Sequence, residues 1–288
     1  MKTISAVFAG KCLKKRRSDS HKGENGRVVV IGGSSDYVGA PALTGMAALA
    51  CQRTGVDLVT VVAPEKAGFV INKYSPDLIV RKVKGSHFTP AHLKKCLEQI
   101  RKADVALIGN GIGIDKATMK FAKNVARKTN VPLVIDADAI RACRGMRFDG
   151  NAIITPHATE FGIFSGIEIS GKKSISEKCE IVKKVAAKHR CVVLLKGKID
   201  IISDGKQILL NKTGNEAMTA AGTGDVLAGI VAALVAVKNP LLNAAGAGAY
   251  INGAAGERVA AKVGYSLVAS DIVKEIPATI MKIRKGAY

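Results

Sequence analysis

The sequence predicts an α/β protein with a mostly parallel central sheet and helices on both faces. Short apolar runs rich in Val and Ile alternate with stretches of helical periodicity, which is the order expected of parallel strands joined by helices. Apolar residues make up 48% of the chain, aromatic residues only 4%, and Trp is absent. Small aliphatic side chains must therefore fill the interior, as they do in strands covered on both faces. A chain of 288 residues is long enough for one large domain.

Predicted strands and helices alternate along most of the chain. The predicted strands are residues 27–31, 57–63, 78–81, 104–108, 131–135, 151–155, 191–195, 199–203 and 207–210. The predicted helices are residues 41–54, 90–101, 115–128, 174–189, 226–237, 241–263 and 270–284. Ser174 is the expected N-cap of the fourth helix, with Glu177 at the capping-box position, and Ser270 is the expected cap of the last helix. Asp204-Gly205 predicts a hairpin turn between the last two strands.

Glycine-rich or acidic loops follow several of the predicted strands. Residues 32–41 (GGSSDYVGAP) follow the first strand, and residues 109–113 (GNGIG) follow the fourth. Because the carboxyl ends of parallel strands share one edge of the sheet, these loops are expected to meet and form a ligand crevice. The first loop matches neither the dinucleotide fingerprint nor the P-loop. It is therefore either a loop that receives a phosphate or ribose, or an ordinary tight turn.

The stretch at residues 211–229 (NKTGNEAMTAAGTGDVLAG) joins a small-residue loop to the start of an apolar helix. Its glycines allow the backbone to approach a ligand closely. The first amides of a helix lack intrahelical acceptors and act as donors to anions. Asp225 stands at the helix start, where it either caps the helix or acts as a general base beside a bound phosphate. The residues alone leave both interpretations open.

Other strand ends carry polar residues that allow two interpretations. His157, with Glu160 three residues later, is either a structural residue or a ligand contact. Of Asp136 and Asp138, one is expected to be purely structural. The basic residues that flank Gly197 either steer phosphates towards the crevice or form a solvated turn.

The net charge of +21 suggests either an anionic partner or a solvated basic surface. Lys and Arg neutralise nucleic-acid phosphates, but no aromatic stacking platform accompanies them here. The charges are instead spread over predicted helix faces at Lys94–Lys95, Lys172–Lys173 and Lys183–Lys184. A surface that attracts anionic small molecules is the favoured interpretation, and no nucleic-acid partner is expected. The densest basic run, residues 11–17, falls in residues 1–25, which are predicted to form a basic tail or edge segment.

The six cysteines are scattered, without a CxxC pair or a neighbouring His cluster. This predicts small core residues in a reducing compartment, with no disulfide framework and no metal site. No apolar run has the length of a membrane span, and the first ten residues do not resemble a secretory signal. We therefore expect a cytoplasmic protein without membrane contact.

Six segments closely resemble the motifs of the ADP/ATP-dependent NAD(P)H-hydrate dehydratases, a family with the ribokinase-like fold. The segments are GRVVVIGGSSDYVGAP, GNGIGID, DADA, TPHATEF, LLKG and NKTGNEAMTAAGTGDVLAG. They occur in the family's order from about residue 22 onwards. Vitamin and sugar kinases share GTGDVLAG, whereas TPHATEF and NKTGNEAM are more specific. The resemblance implies a ribokinase-like domain over residues 26–288 that removes water from hydrated NADH or NADPH, with Mg²⁺ and with ADP or ATP as phosphate donor, ADP being favoured.

The resemblance also implies roles for individual residues. Asp225 would be the catalytic base and would contact the substrate, whose site Ala40, Gly113 and His157 would line. Its position at the helix N-terminus is expected to favour the charged form and to keep it a weak base. No metal-binding side chain is implied. The implied nucleotide-binding residues are Lys196, Gly197, Lys198, Ile199, Asp200, Gly222, Thr223 and Gly224.

Partners follow from the same resemblance. It implies a homo-oligomer, with a tetramer favoured and the Ala/Gly-rich residues 246–253 as a plausible contact. A separate NAD(P)H-hydrate epimerase is expected, because the dehydratase-like region uses nearly the whole chain. Two alternative functions remain: a small-molecule alcohol kinase of the same superfamily, and a basic nucleic-acid-binding protein.

Overall fold

One ten-stranded sheet organises the chain in this computed structural model, which describes residues 1–16, 18–51, 56–169, 171 and 173–286. The strands lie in the order β1-β10-β9-β8-β7-β6-β5-β2-β3-β4. Their bounds are β1 Lys2–Thr3, β2 Arg27–Ile31, β3 Leu58–Pro64, β4 Ile79–Val83, β5 Val105–Ile108, β6 Leu133–Ile135, β7 Ala152–Ile154, β8 Val192–Leu195, β9 Asp200–Ser203 and β10 Ile208–Asn211.

The strand directions confirm the predicted mostly parallel sheet. Neighbours from β4 through β3, β2, β5, β6 and β7 to β8 all pair in parallel. Strand β9 runs antiparallel to both β8 and β10, so the hairpin predicted at Asp204-Gly205 is also confirmed. Because seven neighbouring strands point the same way, the loops after β2, β5, β6, β7 and β8 emerge at one edge of the sheet.

Helices cover both faces of the sheet, as the sequence predicts. One face packs against α1, α2, α3, α9, α10 and α11, and the other packs against α4, α5, α6, α7 and α8. The bounds are α1 Ala6–Cys12, α2 Gly39–Ala50, α3 Glu65–Ile71, α4 Leu93–Ile100, α5 Lys116–Lys128, α6 Asp138–Ala142, α7 Ala158–Ser165, α8 Ile175–His189, α9 Thr223–Ala236, α10 Leu241–Val263 and α11 Ala269–Arg284. No helix among the described residues is both long and apolar enough to cross a bilayer.

The core consists of small aliphatic side chains, as the composition predicts. Helix α9 is buried along its whole length from Val226 to Ala236, which confirms that it is a core helix. All six cysteines are buried, so they are the small core residues that the sequence predicts.

Several boundaries differ from the predictions. Helix α2 starts at Gly39, two residues earlier than predicted, and ends at Ala50. Its predicted end, Thr54, lies outside the described residues. Lys172, part of one predicted basic pair, also lies outside them. Ser174 caps α8 together with Glu177 as predicted. The prediction that Ser270 caps the last helix is wrong, because α11 already starts at Ala269 with Val268 as its N-cap. A carboxylate does the capping instead: Asp271 Oδ2 accepts from the Val268 amide at 3.4 Å.

The first residues have defined structure. Strand β1 pairs in parallel with β10 and forms one edge of the sheet. Helix α1 follows, with Ser5 as its N-cap, and buries Ala9 and Cys12 where it packs against α10 and α11. Lys11, the first residue of the densest basic run, lies in the last turn of this helix.

Helices α2 and α9 pack in close contact, which fixes the start of α9 at the loop edge of the sheet. Gly229 of α9 lies so close to α2 that a Cβ on it would be 2.3 Å from the Thr44 carbonyl oxygen and 3.0 Å from Ala47 Cβ. The absence of a side chain therefore permits this approach.

We expect Gly229→Ala to lower the free energy of unfolding by ~1–3 kcal/mol, because the added methyl group would force these two buried helices apart. Urea unfolding at equilibrium measures the change. Gly39→Ala is the matched control, since a Cβ at Gly39 would meet no atom within 4 Å, and we expect it to change stability by less than ~1 kcal/mol. Equal stability of the two variants would contradict this account of the helix contact.

Candidate functional site

Asp225 lies in the first turn of α9, directly after the small-residue loop. The N-cap of this helix is Gly222, whose φ of +90° favours glycine. Asp225 is partly buried, and its Oδ1 accepts a hydrogen bond of 2.6 Å from Asn110 Nδ2. Beside it, Thr223 and Gly224 occupy the first two helical positions, where amides lack intrahelical acceptors. Gly222, rather than Asp225, is the N-cap, so the interpretation of Asp225 as the helix cap is wrong. The helix start combines anion donors with a carboxylate, as the general-base interpretation requires.

Hydrogen bonds connect Asp225 to the ends of the four strands β5, β6, β7 and β8. Asn110, after β5, donates from the same Nδ2 to Asp136 Oδ2, after β6, at 3.0 Å. Asp136 is 2% exposed, and its Oδ1 also accepts from Thr155 Oγ1 at 2.7 Å. The ammonium group of Lys196, after β8, completes the chain at 3.1 Å from Asp136 Oδ1. Residues distant in sequence thus meet at the carboxyl edge of the sheet, which confirms the predicted convergence there.

Lys196 lies between the acids and the loop before α9. Its backbone amide donates to the Pro156 carbonyl at 2.8 Å, its Nζ lies 3.8 Å from Glu160 Oε2, and its side chain is 21% exposed. A Cβ on Gly224 would lie 3.3 Å from Nζ, so the ammonium group lies close to the start of α9. Although burial disfavours its charged form, the carboxylates of Asp136 and Glu160 outweigh this effect and raise the pKa of Lys196. The residue is a fixed positive charge beside the anion donors.

The electrostatics of Asp225 differ from the sequence expectation. Burial, followed by the charge of Asp136, raises the pKa of Asp225 to about 6, against the opposing effects of the Asn110 hydrogen bond and Lys196. The prediction that the helix N-terminus keeps it a weak base was therefore wrong. Desolvation and a neighbouring like charge outweigh a half-charge at a helix end. Asp225 remains mostly ionised at neutral pH, and it is a stronger base than an exposed aspartate.

The loops at residues 32–41 and 109–113 contact each other. A Cβ on Gly111 would lie 3.4 Å from Ala40 Cβ and 2.7 Å from Tyr37 Cβ. The amide of Gly113 donates to Asp138 Oδ2 at 2.9 Å, which joins the second loop to the start of α6. Ala40 and Gly113 are both partly exposed. Two of the residues expected to line the substrate site therefore lie in connected loops next to Asn110.

His157 has a structural role that the sequence left open. It is the N-cap of α7, and its Nδ1 accepts from the amides of Thr159 and Glu160 at 3.2 and 3.3 Å. Glu160 Oε2 accepts in return from the His157 amide at 2.9 Å. The imidazole is 53% exposed, and Glu160 links it to Lys196. Capping accounts for Nδ1, and Nε2 lies 3.5 Å from Glu160 Oε1.

Residues 196–200 divide into two groups by their surroundings. Lys196 is directed towards the acids, whereas Gly197 and Lys198 are exposed and Ile199 is partly exposed. Asp200 holds the loop closed, because its oxygens accept from the Gly197 amide and from Asn211 Nδ2, both at 3.0 Å. Burial raises the pKa of Asp200 to about 6.

The loop before α9 is held from within. Thr223 Oγ1 donates to the carbonyl oxygens of Met218 and Ala220 at 2.9 and 3.1 Å. The Thr223 hydroxyl therefore shapes the loop, whereas its amide remains at the helix start. Gly222, Thr223 and Gly224 are all partly exposed.

Sequence reasoning missed Asn110 and Thr155 as members of this site. Asn110 is fully buried and is the second residue of GNGIG, a segment that draws attention mainly through its glycines. A buried amide is usually present to satisfy a neighbouring polar group, so its place at a strand end was the available signal. Thr155 offered no such signal, since a Thr at the end of a strand is common.

A concavity lies away from these residues. It has a volume of about 700 Å³ between α4 and strands β2, β3 and β4. The charged residues that line it are all cationic: Arg27, Arg81, Lys82, Lys95 and Lys102. It holds part of the large positive charge but no group suited to proton transfer, so the candidate site remains the carboxyl edge.

The described residues contain no cluster of three or more His, Cys, Asp or Glu side chains suited to hold a metal. Asp136 already accepts from Asn110, Thr155 and Lys196. Mg²⁺ often binds mainly through substrate phosphates and water, with one or two carboxylates at most. The small number of available carboxylates is therefore compatible with a Mg²⁺ ion that is bound mainly by the phosphates of a nucleotide.

The raised pKa of Asp225 predicts a pH-dependent effect on stability. A carboxyl group whose pKa is higher in the folded state stabilises the fold fully below about pH 4, and this contribution is lost as the pH rises through about 6. Asp225→Asn removes the buried charge but keeps an oxygen that can accept from Asn110. We expect this variant to be more stable than the parent at pH 8, by ~1–2 kcal/mol once partial exposure is considered.

Denaturant unfolding at pH 4, 6 and 8 measures this difference, which should vanish near pH 4. Asp149→Asn is the control, because Asp149 is 92% exposed and should give no such pH dependence. A loss of stability in Asp225→Asn at pH 8 would mean that the ionised carboxylate stabilises the fold.

Comparison with known proteins identifies the family of this chain. A family model described as NAD(P)H-hydrate dehydratase matches residues 28–278. The bifunctional NAD(P)H-hydrate repair enzyme of Pyrobaculum aerophilum is 41% identical over 269 residues, which cover 93% of this chain and 53% of that protein. The chain thus spans about half the length of this and similar curated relatives. The ADP-dependent (S)-NAD(P)H-hydrate dehydratase of Cenarchaeum symbiosum is 38% identical over 273 residues, 94% of this chain and 93% of that protein.

Solved structures agree with the fold. A ribokinase-like superfamily protein from Enterococcus faecalis superposes with a TM-score of 0.85 at 26% identity, covering 98% of this chain and 96% of that one. The ADP/ATP-dependent NAD(P)H-hydrate dehydratase of Bacillus subtilis, co-crystallised with ATP/Mg²⁺, gives a TM-score of 0.81 at 22% identity and covers 98% of both chains. These likenesses confirm the predicted ribokinase-like fold. Since the family model covers most of the sequence, the chain belongs to the NAD(P)H-hydrate dehydratase family.

Proposed function

We propose that this chain removes water from the hydrated nicotinamide ring of NADH or NADPH at the expense of ADP. The observation that carries the proposal is the combination of Asp225, the amides at the start of α9 and the Lys196 ammonium group at one edge of the sheet. The relative from Cenarchaeum symbiosum, which the match covers over 93% of its length, is named an ADP-dependent (S)-NAD(P)H-hydrate dehydratase. This name supports both the reaction and the choice of ADP.

Each group has a role in phosphoryl transfer. Asp225 takes the proton from the ring hydroxyl, whose oxygen then attacks the terminal phosphorus of the nucleotide. The amides of Gly222, Thr223 and Gly224 stabilise the charge on the transferring group. Lys196 lies beside Gly224 and adds a positive charge there. Mg²⁺ bound with the nucleotide would neutralise further phosphate charge.

Phosphorylation makes the dehydration possible. Phosphate leaves more readily than hydroxide, so the ring nitrogen lone pair can expel it. Loss of a proton from the adjacent ring carbon then restores the dihydronicotinamide. One ADP is converted to AMP and phosphate for each hydrate repaired.

We propose the substrate contacts on the same basis. Ala40, Gly113 and His157 line the hydrate, and Asp225 reaches its hydroxyl group. The nucleotide lies along residues 196–200 and the loop before α9. In this arrangement Asp200 acts indirectly, because it holds the Gly197 turn in place.

The remaining proposals concern organisation. Residues 26–288 form the single dehydratase domain, with residues 1–25 as a basic edge segment. The protein works in the cytoplasm as a homo-oligomer, for which a tetramer is favoured. A separate NAD(P)H-hydrate epimerase supplies the reactive epimer, and neither nucleic acid nor membrane is a partner.

The test is a repair assay on hydrated NADH with ADP and ATP in parallel. We expect the dihydronicotinamide absorbance to return, with one phosphate released per molecule repaired and faster turnover with ADP. A stable phosphorylated product without recovery of absorbance would indicate a small-molecule kinase instead.

The pH dependence of this assay tests the role of Asp225. Because its carboxyl group has a pKa of about 6 and must be ionised to accept a proton, we expect kcat/KM to fall about tenfold per pH unit below that value. Asp225→Asn should bind the hydrate but lose at least ~10³-fold in turnover. Asp149→Asn is again the control. Substantial turnover by Asp225→Asn would exclude Asp225 as the base.

A further inference from the structure

Asn110 is the residue that connects the two acids at the centre of the site. It follows β5 and is flanked by Gly109 and Gly111, both with positive φ. It is fully buried, and its carbonyl oxygen accepts from the Gly33 amide at 2.9 Å. The backbone on both sides is therefore fixed, so the side chain has a defined direction.

The amide group of Asn110 bridges two carboxylates. Its Nδ2 donates to Asp225 Oδ1 at 2.6 Å and to Asp136 Oδ2 at 3.0 Å. A rotated amide would place an oxygen against both acids, so this orientation is the favourable one. Without this bridge the two carboxylates would face each other, and a like charge nearby disfavours ionisation.

The other end of the amide is unsatisfied. Asn110 Oδ1 is buried and has no hydrogen-bond partner among the described residues. A buried unsatisfied acceptor is costly, and an apolar side chain of similar shape would avoid that cost. The presence of an amide at this position is therefore explained by the two hydrogen bonds that it donates to the carboxylates.

The free oxygen of Asp225 lies on the other side of the carboxylate. Asp225 Oδ2 accepts no hydrogen bond from the described residues, and it would lie 3.9 Å from a Cβ on Gly222. The clamped oxygen thus faces Asn110, whereas the free oxygen faces the loop that carries the anion donors.

We propose that Asn110 is a positioning residue that holds Asp225 by Oδ1, separates it from Asp136 and leaves Oδ2 as the proton-accepting oxygen. The role as base rests on the proposed function, whereas the clamp itself does not. The charged groups that act on Asp225 are Asp136, Asp138 and Lys196, and Asn110 is the neutral group between the first of these and the base.

The variant Asn110→Leu tests the clamp, because it removes both donors with little change of volume. We expect the pKa of Asp225 to rise by at least about one unit. Carboxyl ¹³C NMR of protein labelled at aspartate measures this in the absence of substrate, with Asp225→Asn used to assign the signal. In the repair assay the acid limb of kcat/KM should move by the same amount, and kcat at pH 8 should fall at least ~10-fold with little change in KM.

Thr155→Val is the matched control. Thr155 donates to Asp136 but not to Asp225, so this variant should move the pKa of Asp225 by less than half as much. An unchanged pKa in Asn110→Leu, or equal shifts in the two variants, would overturn the clamp. Asn110→Ala serves the same comparison if Asn110→Leu does not fold. Absence of repair by the parent protein would contradict the proposed function, whereas the NMR titration would still decide the clamp.

Discussion

The ion pair between Lys196 and Asp136 is the interaction on which the site depends. It joins the end of β8 to the end of β6, and the same ammonium group approaches Glu160 in α7. A largely buried carboxylate without this partner would be strongly unfavourable, since breaking such a pair costs several kcal/mol. With it, three segments that are distant in sequence are held at fixed spacing. The amides at the start of α9 thus lie beside an ammonium group whose position is fixed.

The fold supports this charged edge with an apolar body. Helix α9 is buried from Val226 onwards, and its contact with α2 through Gly229 leaves no space between the two helices. The start of α9 is thus anchored by packing, whereas Asp225 at that start is unfavourably charged. The charge in the site therefore lowers the stability of the fold, and the packing of the core offsets this loss, a trade-off typical of active sites.

The sequence predicts the mostly parallel sheet, the alternation of strands and helices along the chain and the edge where the loops meet, because apolar periodicity and glycine loops are local signals. It does not predict the hydrogen bonds that link Asp225 through Asn110 to Asp136, because these depend on which strands become neighbours in the sheet. It also gave the wrong direction for the pKa of Asp225: burial and the charge of Asp136 exist only in the folded molecule. The prediction that Ser270 caps the last helix is wrong for a local reason: the helix starts one residue earlier, and the Val268 amide donates to Asp271 Oδ2.

The six buried cysteines make the native protein resistant to thiol chemistry. Burial raises the pKa of the thiols, to about 12 at Cys96 and Cys143, and the thiolate is the form that reacts with alkylating agents and oxidants. Modification must therefore wait until the chain opens. The cysteines are distributed over both faces of the sheet, so the order in which they become alkylated would show which layer of the molecule separates first.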